Sequence, residues 1–475
     1  MTELESLALR CVLPGFEGTT APPWLLRRAA AGLGGVVLFA RNVDTRVQLA
    51  ALTADLHRAR PHLVVAIDEE GGEVTRLEAR TGSKYPGNRA LGVADDVALT
   101  REVAGAIGAE LAESGIDLNL APVADVNSNP QNPIIGVRSF GSDAKTVARH
   151  TAAWIEGMQG AGVAACAKHF PGHGDTSIDS HLELPVVSED PHLRALAPFA
   201  AAIAHGVQAV MSAHIVVPDV DSAPATASRR VMHGLLRDEL GFEGLAITDG
   251  LEMRGFSGPG GIGEGAVRAI GAGCDALCIG GGLADEAVVD EIVDALSAAV
   301  NRGRLAEPRL REAASRVDAL AEWRSRQDAS AQHGRDEAGL EAARRAVRAD
   351  GDVHIGPDAT VLRFPSTPSI AAGEVPWGVA NALVARGVRV TTSDVDLAAH
   401  DLAVPARGSV VVVVRDLHRH PEHGAPISAL LRKRPDAVVV EMGMPLCRPP
   451  EARNYVATYG SARVCAQAAA EVMSP

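Results

Sequence analysis

Between positions 168 and 181 the chain reads KHFPGHGDTSIDSH. Three histidines, two aspartates and a lysine around a Pro-Gly suit neither a core helix nor a core strand. Such a segment is either a solvated loop or a holder of proton-transfer groups beside a ligand. Asp179-Ser180-His181 sets a carboxylate two residues from an imidazole. A nearby carboxylate fixes one tautomer and keeps the imidazole ready to give and take a proton near neutrality. Asp249 closes the apolar run LAIT, where a partly desolvated carboxylate can serve as nucleophile, general base or ion-pair partner. Lys168, Arg76 and Arg138 are fixed donors that can hold hydroxyls or neutralise neighbouring carboxylates.

These residues need elements to bring them together. Eight short apolar runs recur along the first part of the chain: 7–16, 34–40, 63–70, 116–126, 163–172, 209–218, 244–250 and 274–281. Continuous rather than alternating apolar character is expected of parallel strands buried on both faces. Amphipathic stretches such as 47–60 and 147–162 lie between them. Eight strand–helix units predict a (β/α)8 barrel, with a doubly wound open sheet as the second choice. In a parallel barrel the chemistry sits on loops leaving the carboxyl ends of the strands. The unusual polar residues fall there: Asp68, Glu69, Glu70 and Arg76 after the third run, and Asp125, Asn127 and Arg138 after the fourth. Residues 168–181 follow the fifth run, His214 falls in the sixth, and Asp249 ends the seventh. Five strands ending so imply one shared mouth.

The catalytic barrel is expected over 1–325, and the charged, Ala-rich stretch 326–350 reads as linker and connecting helix. Strand-like runs at 359–364, 388–392, 409–416 and 436–443 predict a smaller α/β sandwich, of αβα layering, over 351–475.

Two other patterns carry less. GGIGEGA (260–266) resembles a dinucleotide glycine motif but does not end a strand, so it reads as a loop leading into a helix, and no cofactor is expected. His169, His173, Asp175, Asp179 and His181 offer ligand atoms, yet their order matches no metal spacing and H-E-x-x-H is absent, so no metal is expected either.

Composition narrows the class. The chain has 475 residues, 47% hydrophobic, with a formal net charge of −14, which argues against nucleic acid or an anionic membrane as partner. Its six cysteines form no C-x-x-C pair, and Cys274 and Cys278 read as reduced core residues. No apolar run reaches the roughly 20 residues of a membrane helix. The start lacks a basic-then-apolar leader, and Arg10 before Cys11 argues against lipidation there, so a cytoplasmic location is expected.

KHFPGHGDTSIDSH, together with VAIDEEGGEVTR and ITDGLEM, resembles glycoside hydrolase family 3 in its β-N-acetylglucosaminidase branch, over most of residues 1–325. The resemblance implies a (β/α)8 barrel and carries roles onto matching positions. Asp249 would be the catalytic nucleophile, His181 the acid/base and Asp179 its dyad partner. Asp68, Arg76, Arg138, Lys168 and His169 would bind sugar hydroxyls. The chain departs from the commoner family pattern at Glu69, where glutamine is usual, and at Gly250 after the nucleophile. The C-terminal α/β domain occurs in only some members.

Retaining glycosidases generally use two carboxylates about 5–5.5 Å apart; in this branch a histidine stands for one of them. The implied cycle has His181, assisted by Asp179, protonate the leaving oxygen while Asp249 attacks the anomeric carbon. Water then releases the sugar with its β configuration kept, and phosphate in place of water is open to the same site. With 3% aromatic residues, a stacking platform for long polymers is not expected. The expected partners are small soluble β-GlcNAc glycosides, such as cell-wall muropeptide fragments. Rival readings are a β-glucosidase or β-xylosidase of the same family, a GlcNAc or glucoside phosphorylase of it, a metal-dependent hydrolase, and a non-catalytic sugar-binding protein.

Overall fold

The computed structural model describes residues 1–180, 183–187, 194–253, 256, 260–280, 285–327, 335, 337–397 and 405–474. The chain divides into two compact units. The first comprises Met1–Glu69, Thr100–Asn132 and Ser142–Arg335, the second Glu70–Leu99, Pro133–Gly141 and Asp336–Pro475. Two stretches from the N-terminal part of the sequence therefore belong with the C-terminal sheet.

The first unit is built on parallel strands at the predicted runs: β1 (Val12–Pro14), β2 (Gly35–Leu38), β3 (Val64–Ile67), β4 (Leu118–Asn119), β5 (Ala164–Phe170) and β6 (Ala209–Ser212). An antiparallel pair follows, β7 (Val216–Val217) and β8 (Asp221–Pro224), and then β9 (Leu245–Thr248) and β10 (Leu277–Ile279) complete the set. The order β2-β3-β4-β5-β6-β9 forms one six-stranded sheet, and β1 pairs with β10 in parallel. A bridge from Ile247 to Ala276 joins the β9 edge to β10, with Thr248 N–H donating to the Ala276 carbonyl at 3.0 Å. Beside the β2 edge, Gly34 N–H donates to the Leu9 carbonyl at 3.2 Å. The sheet is curled: alternate residues of all eight strands, such as Val37, Ala66, Cys166, Met211, Ile247 and Cys278, enter a single buried cluster. The opposite parity faces outward onto helices, which is why the runs are apolar throughout rather than alternating.

Two expected strands end early. In the fourth run the chain passes through Pro122, which has no N–H for the ladder, and only Leu118–Asn119 is strand. In the sixth run the parallel strand stops at Ser212, and Val216–Val217 pairs back with Asp221–Pro224 across a turn.

The amino ends of the strands are held by ion pairs. Asp275, fully buried just before β10, accepts from Arg237 at 2.6 Å, Arg309 at 2.6 Å and Arg316 at 3.1 Å. Asp318 pairs with Arg10 at 2.6 Å and Arg60 at 3.4 Å, which precede β1 and β3. Asp117, before β4, meets His57 at 2.9 Å and Arg324 at 3.6 Å. Arg309, Arg316, Asp318 and Arg324 all sit on the helix Glu307–Ser325, which therefore binds the amino ends and leaves the carboxyl ends for loops.

The second unit holds a six-stranded sheet: β11 (Arg348–Asp350), β12 (Asp358–Arg363), β13 (Arg389–Asp394), β14 (Ser409–Val414), β15 (Val438–Glu441) and β16 (Asn454–Ala457). Their order is β11-β16-β15-β14-β12-β13, with only β11 antiparallel. Each face buries its own core. Leu383, Ala469 and Met473 from helices Ala380–Ala385 and Arg463–Met473 cover one, and Ile427, Leu430 and Leu431 from helix Gly424–Lys433 cover the other. Burial on both faces explains the unbroken valines of β14. The segment 326–350 holds the helix Ala338–Ala346 and the short exposed strand β11. Among the described residues, no helix is long and apolar enough to cross a membrane.

Candidate active site

β5 runs directly into the polar loop, so its last residues aim at the carboxyl end of the sheet. Lys168, with a side chain only 2% exposed, donates from Nζ to Asp68 Oδ1 at 2.7 Å, linking the ends of β5 and β3. His169 Nδ1 lies 2.7 Å from Asp125 Oδ2, and since a carboxylate only accepts, Nδ1 carries the proton. Asp125 is fully buried and also accepts the backbone N–H of His173 at 2.6 Å and of His169 at 3.3 Å. One carboxylate from the loop after β4 thus fixes both the imidazole and the bend of 169–173. The Lys168-His169 and Phe170-Pro171 peptide bonds are cis.

The glycines here are sterically required. A Cβ on Gly174 would stand 1.8 Å from the Val126 carbonyl oxygen, and Gly172 has φ of +127°. The loop lies against the β4 loop closely enough that only hydrogen fits.

His173 is buried and closed off. Its Nδ1 meets Thr176 Oγ1 at 2.7 Å and its Nε2 meets Ser180 Oγ at 3.0 Å, while Asn132 Nδ2 donates to its carbonyl at 2.9 Å. Burial pushes the imidazole down to about 4, against the opposing pull of Asp125. It is therefore neutral at pH 7 and acts as an anchor for Ser180, between Asp179 and His181. Asp179 is half-buried, with its carbonyl accepting Glu183 N–H at 3.0 Å, and His181 lies outside the described residues.

This burial gives a signed pH dependence. Unfolded His173 takes up a proton near 6.5, whereas the folded form resists until about 4. Between those values the unfolded chain holds one more proton, so stability falls as pH drops through the window, by roughly 3 kcal/mol in all. Urea unfolding at pH 7 and pH 5 should show wild type losing more stability on acidification than His173→Gln; equal losses would contradict the assignment.

Asp249 begins the loop after β9. Its Oδ1 accepts Gly250 N–H at 2.8 Å, and its own N–H donates to the Ser212 carbonyl at 3.3 Å. His214, fully buried, steadies this turn: Nε2 donates to the Gly250 carbonyl at 2.9 Å, Nδ1 meets Thr226 Oγ1 at 2.8 Å, and the ring stacks on Phe256 at 4.6 Å. Asp68, Lys168 and Asp249 all act electrostatically on the same two buried thiols, Cys166 and Cys278, which burial pushes up. Their strands β3, β5 and β9 run parallel in one curled sheet and so end on the same side. An ammonium, two carboxylates and a fixed imidazole around one mouth can bind hydroxyls and attack an electrophilic carbon.

Arg76 and Arg138 belong to the second unit. Arg138 makes a two-pronged pair with Glu70, Nε to Oε2 at 2.9 Å and Nη2 to Oε1 at 2.8 Å, with both side chains buried. Arg76 donates to the Ala371 carbonyl at 3.0 Å. Asp125 and His214 stood out in the sequence only as polar residues at strand ends; their orienting roles depend on partners that spacing does not reveal. GGIGEGA (260–266) is not a loop before a helix: Gly260 is the cap and Gly261 onward is already the helix Gly261–Ala272.

The model of the glycosyl hydrolase family 3 N-terminal domain matches residues 27–320. A beta-hexosaminidase of Bordetella parapertussis is 40% identical over 312 residues, 63% of this chain and 88% of that protein. Beta-hexosaminidase A of Pseudoalteromonas piscicida is 40% identical over 266 residues, 50% of this chain but only 44% of that longer protein. A solved glycoside hydrolase family 3 beta-N-acetylglucosaminidase from Paenibacillus superimposes with a TM-score of 0.88 at 34% identity, covering 100% of this chain and 97% of that one. The curled parallel sheet and its charged mouth are those of a glycoside hydrolase. The chain belongs to glycosyl hydrolase family 3.

Proposed function

We propose that this chain is a retaining, exo-acting β-N-acetylglucosaminidase that removes terminal β-linked GlcNAc from short soluble glycosides. The observation that carries the reading is that Asp68, Lys168 and Asp249 stand at the carboxyl ends of β3, β5 and β9 of one curled parallel sheet, with Lys168 Nζ bound to Asp68 at 2.7 Å. The beta-hexosaminidase and beta-N-acetylglucosaminidase relatives support the sugar class.

Asp249 is the nucleophile. Its turn, held by His214 and Ser212, aims a carboxylate from the end of β9. His181, aided by Asp179, donates its proton to the departing glycosidic oxygen as Asp249 attacks the anomeric carbon and the carbon–oxygen bond breaks. In the second half His181 takes a proton from water, whose oxygen displaces Asp249 and restores the β configuration. Of the loop's other histidines, His173 is closed off at both ring nitrogens by hydroxyls, which keeps it out of the proton transfer. Asp68, Lys168 and His169 hold sugar hydroxyls; fixed donors and acceptors suit that task because their geometry is set before the sugar arrives. For Arg76 and Arg138 the same task is proposed on the family resemblance alone.

The eight parallel strands of the first unit form a closed (β/α)8 barrel, a reading supported by the bonds at the β9 and β2 edges. Along the sequence we assign the catalytic barrel to 1–325, the linker to 326–350 and an αβα sandwich domain to 351–475, while 70–99, 133–141 and β11 group with the second unit in space. The physiological substrates are muropeptide fragments met in the cytoplasm.

The test is turnover by the purified full-length protein of chromogenic β-N-acetylglucosaminide against β-glucoside, with and without inorganic phosphate. Preference for the N-acetyl sugar, independent of phosphate, is expected. Preference for the plain glucoside would retire the substrate assignment, and phosphate-dependent release of a sugar phosphate would make the enzyme a phosphorylase.

A further inference from the structure

The loop after β14, in the second unit, brings together side chains that none of the glycosidase chemistry uses. β14 ends at Val414, and the turn that follows is pinned to the end of β15. Glu441 accepts the backbone N–H groups of Asp416 at 2.8 Å, Leu417 at 3.1 Å and Gly443 at 2.8 Å, and Asp416 in return accepts Met444 N–H at 2.8 Å. Two single turns, Leu417–Arg419 and Pro421–His423, then lead into the helix Gly424–Lys433. In the second turn His423 N–H donates to the His420 carbonyl at 3.0 Å, which sets the two imidazoles side by side. His423 is buried, with its ring 5.4 Å from that of Phe364, while Glu422 faces solvent.

One nitrogen of each imidazole and one Glu422 oxygen all lie within 4.8 Å of one another. Glu422 Oε1 is 3.1 Å from His420 Nδ1 and 3.6 Å from His423 Nε2. Zinc bonds of about 2.0–2.1 Å in a tetrahedron put neighbouring ligand atoms about 3.3 Å apart, and two ligating imidazoles about 5 Å apart at their ring centres. The two carboxylate distances bracket the first value, and the ring centres here are 4.8 Å apart. The rings stack at 11°, so binding requires His420, the less buried of the two, to swing until both nitrogen lone pairs point at one ion.

We propose that His420, Glu422 and His423 bind one divalent cation of the zinc type, with water completing the coordination on the exposed side. Two imidazoles and one carboxylate are a borderline-soft set that favours zinc over magnesium or calcium, which take oxygen ligands. The ion would bind both ends of the turn at the start of the helix Gly424–Lys433. It would fasten the loop and take no part in the glycosidic reaction.

The test uses the untagged full-length protein, stripped with chelator and dialysed. Zinc binding is followed by calorimetry, and cobalt(II) by its visible absorption. Glu422→Gln and His420→Gln are the variants, both altering side chains at least partly exposed and so safe for folding, which circular dichroism verifies. Wild type should take up one equivalent of zinc, ignore magnesium and give the intense cobalt spectrum of a four-coordinate site. Each variant should bind zinc at least tenfold more weakly and lose that spectrum. Equal zinc affinity in wild type and variants, or no uptake by wild type at 100-fold molar excess, would overturn the proposal. Hydrolysis of an aryl glycoside should be the same before and after stripping; a loss restored by zinc in wild type but absent in both variants would overturn the purely fastening role.

Discussion

Asp249→Asn should lower kcat/KM for an aryl β-N-acetylglucosaminide by about three to five orders of magnitude, with the protein folded as before. The asparagine can keep the short contact to Gly250 N–H through its side-chain oxygen. The turn itself is held by backbone bonds and by His214, so little else should move. What disappears is the anionic oxygen that bonds to the anomeric carbon, and Asp68 does not replace it, because it is already bound to Lys168. Asp249→Ala, which leaves room at the same place, should be partly rescued by azide, giving a glycosyl azide of inverted α configuration. Near wild-type turnover by either variant would exclude Asp249 as nucleophile.

His181→Ala should show the second largest effect, and one that depends on the leaving group. For a poor leaving group such as an alkyl glycoside, which needs a proton to depart, a loss of about 10²–10⁴ in kcat/KM is expected. For a dinitrophenyl glycoside the first step needs no proton, so kcat/KM should stay near wild type while kcat falls, because the intermediate waits for an unassisted water. A steep dependence of rate on leaving-group acidity in the variant, and a shallow one in wild type, is the signature. Equal losses across the series would assign His181 a role other than proton transfer. The anchors of this loop are already visible up to Ser180, whose hydroxyl is held by His173.

Much of the scaffold could be read from residue types. The eight runs announced eight strands because burial on both faces leaves no polar face to interrupt them. Legibility failed where that logic does not apply. β11 reads Arg-Ala-Asp and is exposed along its length, so it carries no apolar mark; its pairing with β16 comes from tertiary neighbours. β7 and β8 are too short and too mixed to separate from the run before them. Within the site, strand-end aspartates and the lysine were legible as chemistry-bearing residues. The placement of Asp125 was not, because the groups it orients lie 44 and 48 residues further along the chain. His173 shows the opposite limit: its sequence context is polar, yet folding encloses it between two hydroxyls and removes it from acid–base work. Arg138 was open to two uses, hydroxyl binding or neutralising a carboxylate, and its guanidinium is paired with Glu70.

The arginine–aspartate clasp around Asp117, Asp275 and Asp318 has an evolutionary corollary. It secures the strands from below, so the rim loops above are spared from holding the architecture upright. Lineages can therefore lengthen, shorten or recolour the rim to suit new sugars while that underside stays as it is. Diversity should accumulate on one side of the sheet and conservatism on the other.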